Sequence, residues 1–543
     1  MLGFHQIPHL VRQSLAMQDP ANRNQQFGRI ATLKAAFLVT GSTYASYAFG
    51  LVTSALIARA LGPDDYGSYA YVVWLASVLI MIANNGLAIS GIRFVSESLG
   101  RESMETANRV HGWLWRRQRA SLFAVLCVLV LVLSWNRPGE WKGNMGLLLF
   151  IVATCTAAKT IYLFDSSVAK GYGRFNVEAY SNIFVSLVNV LAVIGLWFLH
   201  ATVIAYMVLF TVTSVGYAVF ATVMLHRGKL IPKRGELNHD LLASMKRHLF
   251  WTVLLALVGS LSNRSIETFL LSTVVGTKEV GFFTLATTLT RGGVDVLTAG
   301  LTTVLMPLMA HAYGAGGLKR VGPIFSTSLR YFLFFGLLLA GVGTLWGDVA
   351  VTAMYGSSYA PVVPVFRIMV IVGGLTLSDG AFGAILSTTE NQAGRVAVAF
   401  FSLIASAVGA LALVPTYGLM GAAISFATAK LIGFSILVII VVRTLDVQLP
   451  MREIVRLFGC AAVAGLAAAG IAWFVPGLVG GSIAGLVYAA VFGAFSIILD
   501  SWHTEDVAQL LSVTRRFPRL LGWFQPSVMK WLARLEQRSP STT

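Results

Sequence analysis

The chain has 543 residues, 56% hydrophobic and 12% charged, with a mean hydropathy of +0.74, far more apolar surface than a soluble core of this size can bury. That excludes a soluble enzyme or binding module, and the lack of period-two alternation excludes a membrane β-barrel, leaving an all-α, polytopic membrane protein. The formal net charge of +17 would suit a nucleic-acid binder, but its distribution along the chain argues otherwise.

About 20 apolar residues span ~30 Å of hydrocarbon as a helix. Fourteen such segments are read, at 35–59, 69–92, 120–136, 144–164, 179–199, 203–225, 250–275, 281–310, 329–351, 363–387, 394–414, 419–442, 454–475 and 479–500. Of the 40 Lys and Arg, 31 fall in stretches that these segments place on one side, five on the other and four within apolar segments. This asymmetry predicts that both termini are cytoplasmic, with the basic excess facing anionic membrane lipids and not nucleic acid.

In chain order, residues 1–34 form a basic cytoplasmic tail without the features of a cleavable signal peptide. Residues 35–227 make a first six-helix bundle. Its first two helices are joined by Gly62-Pro63-Asp64-Asp65-Tyr66-Gly67, where glycine and proline permit a tight turn. Residues 93–119 read as a cytoplasmic linker with a surface helix that sets Trp113 and Trp115 at the interface. Lys170-Gly171-Tyr172-Gly173-Arg174 reads as an interhelical turn, because no strand precedes its Gly-x-Gly.

Residues 228–249 are a basic cytoplasmic linker, and 250–443 a second six-helix bundle. Two extra helices occupy 444–500, and 501–543 form a basic cytoplasmic tail. Gly62, Gly67 and Gly86 match Gly276, Gly281 and Gly300 at one constant offset, as in a parallel pseudo-repeat about an axis along the membrane normal. Cys127, Cys155 and Cys460 all lie in apolar segments, which gives no disulfide framework and no Cys-spaced metal cluster.

Ionisable groups at membrane depth are costly and by default mark a pathway or a partner. Arg264 and Glu267 lie three apart on the seventh segment, and Arg291 and Asp295 four apart on the eighth, so each pair shares a helix face. Asp379 and Lys430 are central in the tenth and twelfth segments, and Lys159 is nearer the basic side. Two readings stand. Arg264, Glu267, Arg291 and Asp295 form a closed ion-pair network locking two helices, or Arg264, Arg291, Lys430 and Lys159 line a hydrated cavity for an anionic substrate, with Glu267, Asp295 and Asp379 as counter-ions or coupling-ion ligands. Asp64 and Asp65 raise a membrane glycosyltransferase as an alternative, against which stands a short loop with no domain to hold an acceptor.

Ala58-Arg59 followed by Leu61-Gly62-Pro63-Asp64-Asp65-Tyr66-Gly67 resembles the first-loop signature of polysaccharide-export flippases of the Wzx type. These share a superfamily with lipid II flippases and MATE drug exporters. Val280-Gly281-Phe282-Phe283, Leu305-Met306-Pro307, Tyr355-Gly356 and Val414-Pro415-Thr416-Tyr417-Gly418, with Gly421-Ala422-Ala423, are similar to that family's second-repeat pattern. The resemblance covers about 35–500 and implies two six-helix bundles with two extra helices in a bacterial cytoplasmic (inner) membrane. It implies a non-enzymatic flippase that moves an undecaprenyl-pyrophosphate-linked glycan outward through a cationic cavity. Turnover would be driven by an ion, Na+ or H+, without other cofactor or metal, and polysaccharide polymerase or export machinery would be its protein partners. A lipid II flippase and a MATE-like antiporter remain the alternatives, although central cations and the extra helix pair argue against the antiporter.

Overall fold

The computed structural model describes residues 29–84, 86–101, 103–135, 145–262, 265–388, 392–445, 449–475, 477–499, 501, 502, 506, 507, 511, 526 and 529. Among these all regular structure is helical, without strands. The first half consists of α1 (Arg29–Asn84), α2 (Leu87–Gly100), α3 (Met104–Trp135), α4 (Met145–Gly171), α5 (Asn176–Phe198) and α6 (Val203–Arg227). The second consists of α7 (His239–Ser262), α8 (Ser265–Leu270) running into a π turn at Leu271–Val275, α9 (Thr277–Gly316), α10 (Leu318–Leu345), α11 (Gly347–Tyr355), α12 (Val362–Leu375), α13 (Asp379–Thr388) and α14 (Gln392–Leu445). Then follow α15 (Met451–Phe474) and α16 (Leu478–Ile498).

Eleven helical runs among the described residues are long and apolar enough to cross a membrane. Two of them, Leu38–Gly100 and Ala393–Leu445, have double length because each doubles back on itself. Gly62 breaks α1 with φ 71° and ψ 175°, a left-handed conformation that glycine adopts freely, and Pro63 then opens the second arm where its missing N–H is no loss. The hydroxyls of Ser54 and Tyr66 come within 3.4 Å across this turn, whereas twelve residues of straight helix would separate them by about 18 Å. Gly418, with φ 51°, does the same in α14 after Pro415. The predicted eighth segment lies inside α9, outside the eleven runs.

Residues 93–119 are not a linker with its own surface helix. α2 carries the chain to Gly100, and α3 runs unbroken from Met104 through the third predicted span. The reason lies in the spacing: Ala107, Val110, His111, Leu114 and Gln118 recur every three or four residues and are all buried, with the charged positions on the other face. Arg117 lies over the Trp113 ring at 4.9 Å and Arg119 over Trp115 at 5.1 Å. The repeat is likewise uneven, for Gly86 breaks the chain at φ 68° while α9 runs straight through Gly300.

Two of the apolar clusters in the first half lie toward its opposite ends. Val72, Ala76, Ile151 and Met207 pack toward the Gly62 turn, and Phe94, Val110, Leu114 and Val168 toward the other end. In the second half, Phe325, Phe332, Phe382 and Val441 share a core with Leu457, Ala464, Tyr488 and Phe492 of α15 and α16, so the last pair is joined to this half. In lipid such contacts rest on close approach more than on the hydrophobic effect, which explains the glycines. A Cβ at Gly281 would stand 2.9 Å from Gly67 Cα, and one at Gly341 would overlap the Tyr488 ring. The repeat-related Gly67 and Gly281 therefore touch each other where the halves cross.

Among the described residues beyond α16, Asp506 ties the chain back to α10. The Arg330 guanidinium pairs with Asp506 at 2.9 Å, with side chains only 5% and 6% exposed, and Tyr331 donates to the same carboxylate at 2.7 Å. Trp502 packs on Phe334 beside it.

Candidate functional site

The halves meet at both ends. At the end that holds the Gly62 turn, hereafter the hairpin end, Arg59 donates to the Ala353 and Met354 carbonyls, which the end of α11 leaves without helical partners. Tyr359 donates to the Ala58 carbonyl at 2.7 Å, and Lys278 pairs with Asp64 at 3.2 Å. At the opposite end, Arg93 meets the His248 ring nitrogen at 3.1 Å. Between the ends, Tyr44 and Tyr47 of α1 reach α9, Tyr44 donating to the Val296 carbonyl at 3.1 Å and Tyr47 to the Asp295 carboxylate at 3.5 Å.

That contact places the first candidate pair at the seam. Arg291 Nε lies 3.3 Å from Asp295 Oδ2, four residues on in α9. Arg291 is fourteen residues into the helix, about 21 Å along it, and neighbouring Gly292 lies against Leu51 of α1. Yet its side chain is 49% exposed. A guanidinium at membrane depth needs water or a partner, and Asp295 occupies only Nε. The Nη groups make no other hydrogen bond among the described residues and form a fork suited to phosphate oxygens.

Lys430 and Asp379 form a looser pair, 3.9 Å apart and 47% and 35% exposed, with Asp379 opening α13 after a 3-10 turn at Thr376–Ser378. Asp379 Oδ1 is buried without a partner among the described residues. Glu267 differs: it is fully buried, and its Oε1 accepts from Ser406 at 2.7 Å and Ser425 at 3.1 Å, one from each arm of the α14 hairpin. Its Oε2 is buried and unpartnered among the described residues. Lys159 sits inside the first half with Nζ 3.4 Å from the Tyr217 ring centroid and 5.4 Å from that of Tyr162, a cation held by π faces. Arg264 lies outside the described residues.

Thus the structure joins Arg291 with Asp295 and Lys430 with Asp379, and keeps Glu267 and Lys159 apart from both. Glu267 answers to serines instead of to α9, so its described members do not form the closed network that would lock the seventh and eighth segments. Sequence reading missed Tyr44, Tyr47, Ser406 and Ser425. A signal for the serines existed, since they are placed nearly symmetrically about the Pro415–Gly418 turn and must face each other once it closes. For the tyrosines there was none, because α1 and α9 meet only through the tertiary fold. Asp64, one of the two residues behind the glycosyltransferase alternative, pairs with Lys278.

No curated protein matches this sequence. Solved structures do match the fold. The lipid II flippase MurJ in an inward closed conformation aligns with a TM-score of 0.67 at 13% identity, over 85% of this chain and 98% of that one. An inward-facing MATE-family multidrug resistance transporter of the MOP superfamily aligns at 0.59 and 13% identity, over 74% and 94%. A point mutant of the Vibrio cholerae MATE transporter VcmN aligns at 0.55 and 15% identity, over 76% and 97%. These likenesses show that the chain shares the fold of these three structures. Residues 32–312, more than half of the sequence, match the family described as polysaccharide biosynthesis protein, and the chain belongs to that family.

Proposed function

We propose that the protein is a flippase that carries an undecaprenyl-pyrophosphate-linked oligosaccharide repeat unit across the bacterial cytoplasmic membrane by alternating access, for exopolysaccharide, O-antigen or capsule export. The observation that carries this reading is Arg291, half-exposed about 21 Å into α9 on the seam between the halves, with its guanidinium fork only partly engaged. A pyrophosphate and a hydroxyl-rich glycan cannot shed their hydration in hydrocarbon. A wet, cationic seam removes that barrier while the polyprenyl tail stays in lipid, and no bond is made or broken. Lys430 is the second cation for the diphosphate, and Asp295 and Asp379 hold both cations when substrate is absent.

Glu267 is the coupling residue in this scheme. A buried carboxylate whose side-chain partners among the described residues are two hydroxyls favours capture of H+ or Na+, and its attachment to both arms of α14 lets that capture move the hairpin. The asymmetry of Lys and Arg along the sequence supports a cytoplasmic assignment for the side opposite the hairpin end, with release at the hairpin end. A polysaccharide polymerase or export complex would take the product there.

The test is the leaflet distribution of lipid-linked glycan in cells lacking the protein. Repeat units trapped in the cytoplasmic leaflet, with normal peptidoglycan precursors, are expected. Trapped lipid II would instead favour the lipid II reading that the MurJ-like fold invites, and failure to form glycan lipid at all would refute a flippase.

A further inference from the structure

A cavity lies apart from the Arg291–Asp295 and Lys430–Asp379 pairs. It has a volume of about 200 Å3, room for about six waters, and opens at the hairpin end among Arg59, Ala60, Trp197, His200, Ala201 and Tyr206. We infer that this cavity is a second, exit-side subsite that binds an oxyanion, the carboxylate or phosphate substituent of a single sugar ring.

The charge argument comes first. Arg59 carries the only formal charge among the lining residues, and none of them is acidic. Its Nε and Nη2 are spent on the Met354 and Ala353 carbonyls, which fixes the guanidinium in place and leaves Nη1 without a hydrogen bond among the described residues. Tyr206 is 1% exposed and its hydroxyl has no partner among the described residues, an unmet donor in a built environment. His200 completes the polar wall. It ends α5 with φ 48° in a turn where the Ala201 N–H bonds back to Leu196, a position glycine fills most cheaply. Lys229 holds the same conformation after α6, so the strain marks the turn, and the cavity alone marks the site.

The sugar follows from Trp197. Its indole is 41% exposed and lines the same cavity as Arg59, so an exposed aromatic side chain large enough to stack on a sugar ring belongs to this wall. Pyranose rings offer C–H faces to stack and polar edges to bond. At this volume only one ring or its acidic substituent fits, not an oligosaccharide. The assignment to an exit-side glycan rests on the flippase reading, whereas the binding chemistry does not.

The purified full-length protein in detergent is therefore titrated calorimetrically with glucuronate, glucose and inorganic phosphate, with no transport measured. Glucuronate is expected to bind at least about tenfold more tightly than glucose, and both Arg59→Gln and Tyr206→Phe to weaken it about tenfold, Tyr206→Phe with an unchanged unfolding temperature. Trp197→Ala should weaken glucuronate but spare phosphate. Phosphate binding that depends on Arg59 and Tyr206, with glucuronate no better, keeps the oxyanion site but assigns it to free phosphate and overturns the sugar. No binding of either anion at millimolar concentration, or binding indifferent to both substitutions, overturns the site and leaves the flippase reading standing.

Discussion

Two Arg–Asp pairs in the second half have the same chemistry and opposite surroundings. Arg330–Asp506 is sealed, 5% and 6% exposed, with Tyr331 as an additional donor to the carboxylate. Arg291–Asp295 is open, 49% and 29% exposed, with Tyr47 at hydrogen-bond limit. The sealed pair ties two distant parts of the chain together and has no face to offer a ligand. The open pair lies within one turn of a single helix, which needs no such tie, and keeps donors to spare. Exposure, not the presence of a salt bridge, separates a pair that can only anchor from one that has donors free to meet a ligand.

The sharpest way to break this contrast is to remove one partner from each pair. Arg330→Ala strands a buried carboxylate and should lower stability by about 3–5 kcal/mol, seen as a large drop in unfolding temperature in detergent or as failure to accumulate. Arg291→Ala should leave folding within about 1 kcal/mol, because a partly exposed pair is screened, while lowering glycan-lipid transport at least tenfold. Transport at the wild-type rate by Arg291→Ala would remove the pair from the path. A collapse in accumulation would return it to the structural class.

Glu267 tests the contrast from a third position, buried yet without a cation among its described partners. Glu267→Gln keeps shape and can still accept from Ser406 and Ser425, so the protein should fold. Transport should lose its dependence on an imposed Na+ or H+ gradient and fall several-fold. Retained gradient dependence would move coupling elsewhere.

The sequence made the fold readable because hydropathy and length decide membrane helices almost alone, and because Gly62, Pro63, Pro415 and Gly418 are obligatory where the chain reverses. It failed where continuity depends on burial: α3 absorbs residues read as a linker because neighbouring helices cover its apolar face. At the site, Arg291–Asp295 was legible since four residues set the pairing locally. Glu267 with Ser406 and Ser425 was not, as those contacts bridge 139 and 158 residues, and neither was Arg330–Asp506. Chain proximity reveals local pairs, whereas only the fold reveals which buried group answers which.

The smallest expected effect belongs to Asp64 and Lys278. Their bridge spans the halves and links two turns that the repeat relates, which makes it look like a gate bolt. Its side chains are nevertheless 78% and 45% exposed, so water screens it, and the median worth of such a pair is about 0–1 kcal/mol. Gly67 on Gly281 and Tyr359 on Ala58 hold the same end by packing and a buried hydrogen bond. Asp64→Asn should therefore change unfolding temperature little and transport less than about twofold, with any effect fading in high salt. Gly281→Ala, which drives a Cβ into the Gly67 backbone, should perturb the same end far more. If Asp64→Asn instead matched Arg291→Ala in transport loss, exposure would fail as the criterion, and the hairpin-end carboxylate would have to act on the substrate or its coupling ion directly.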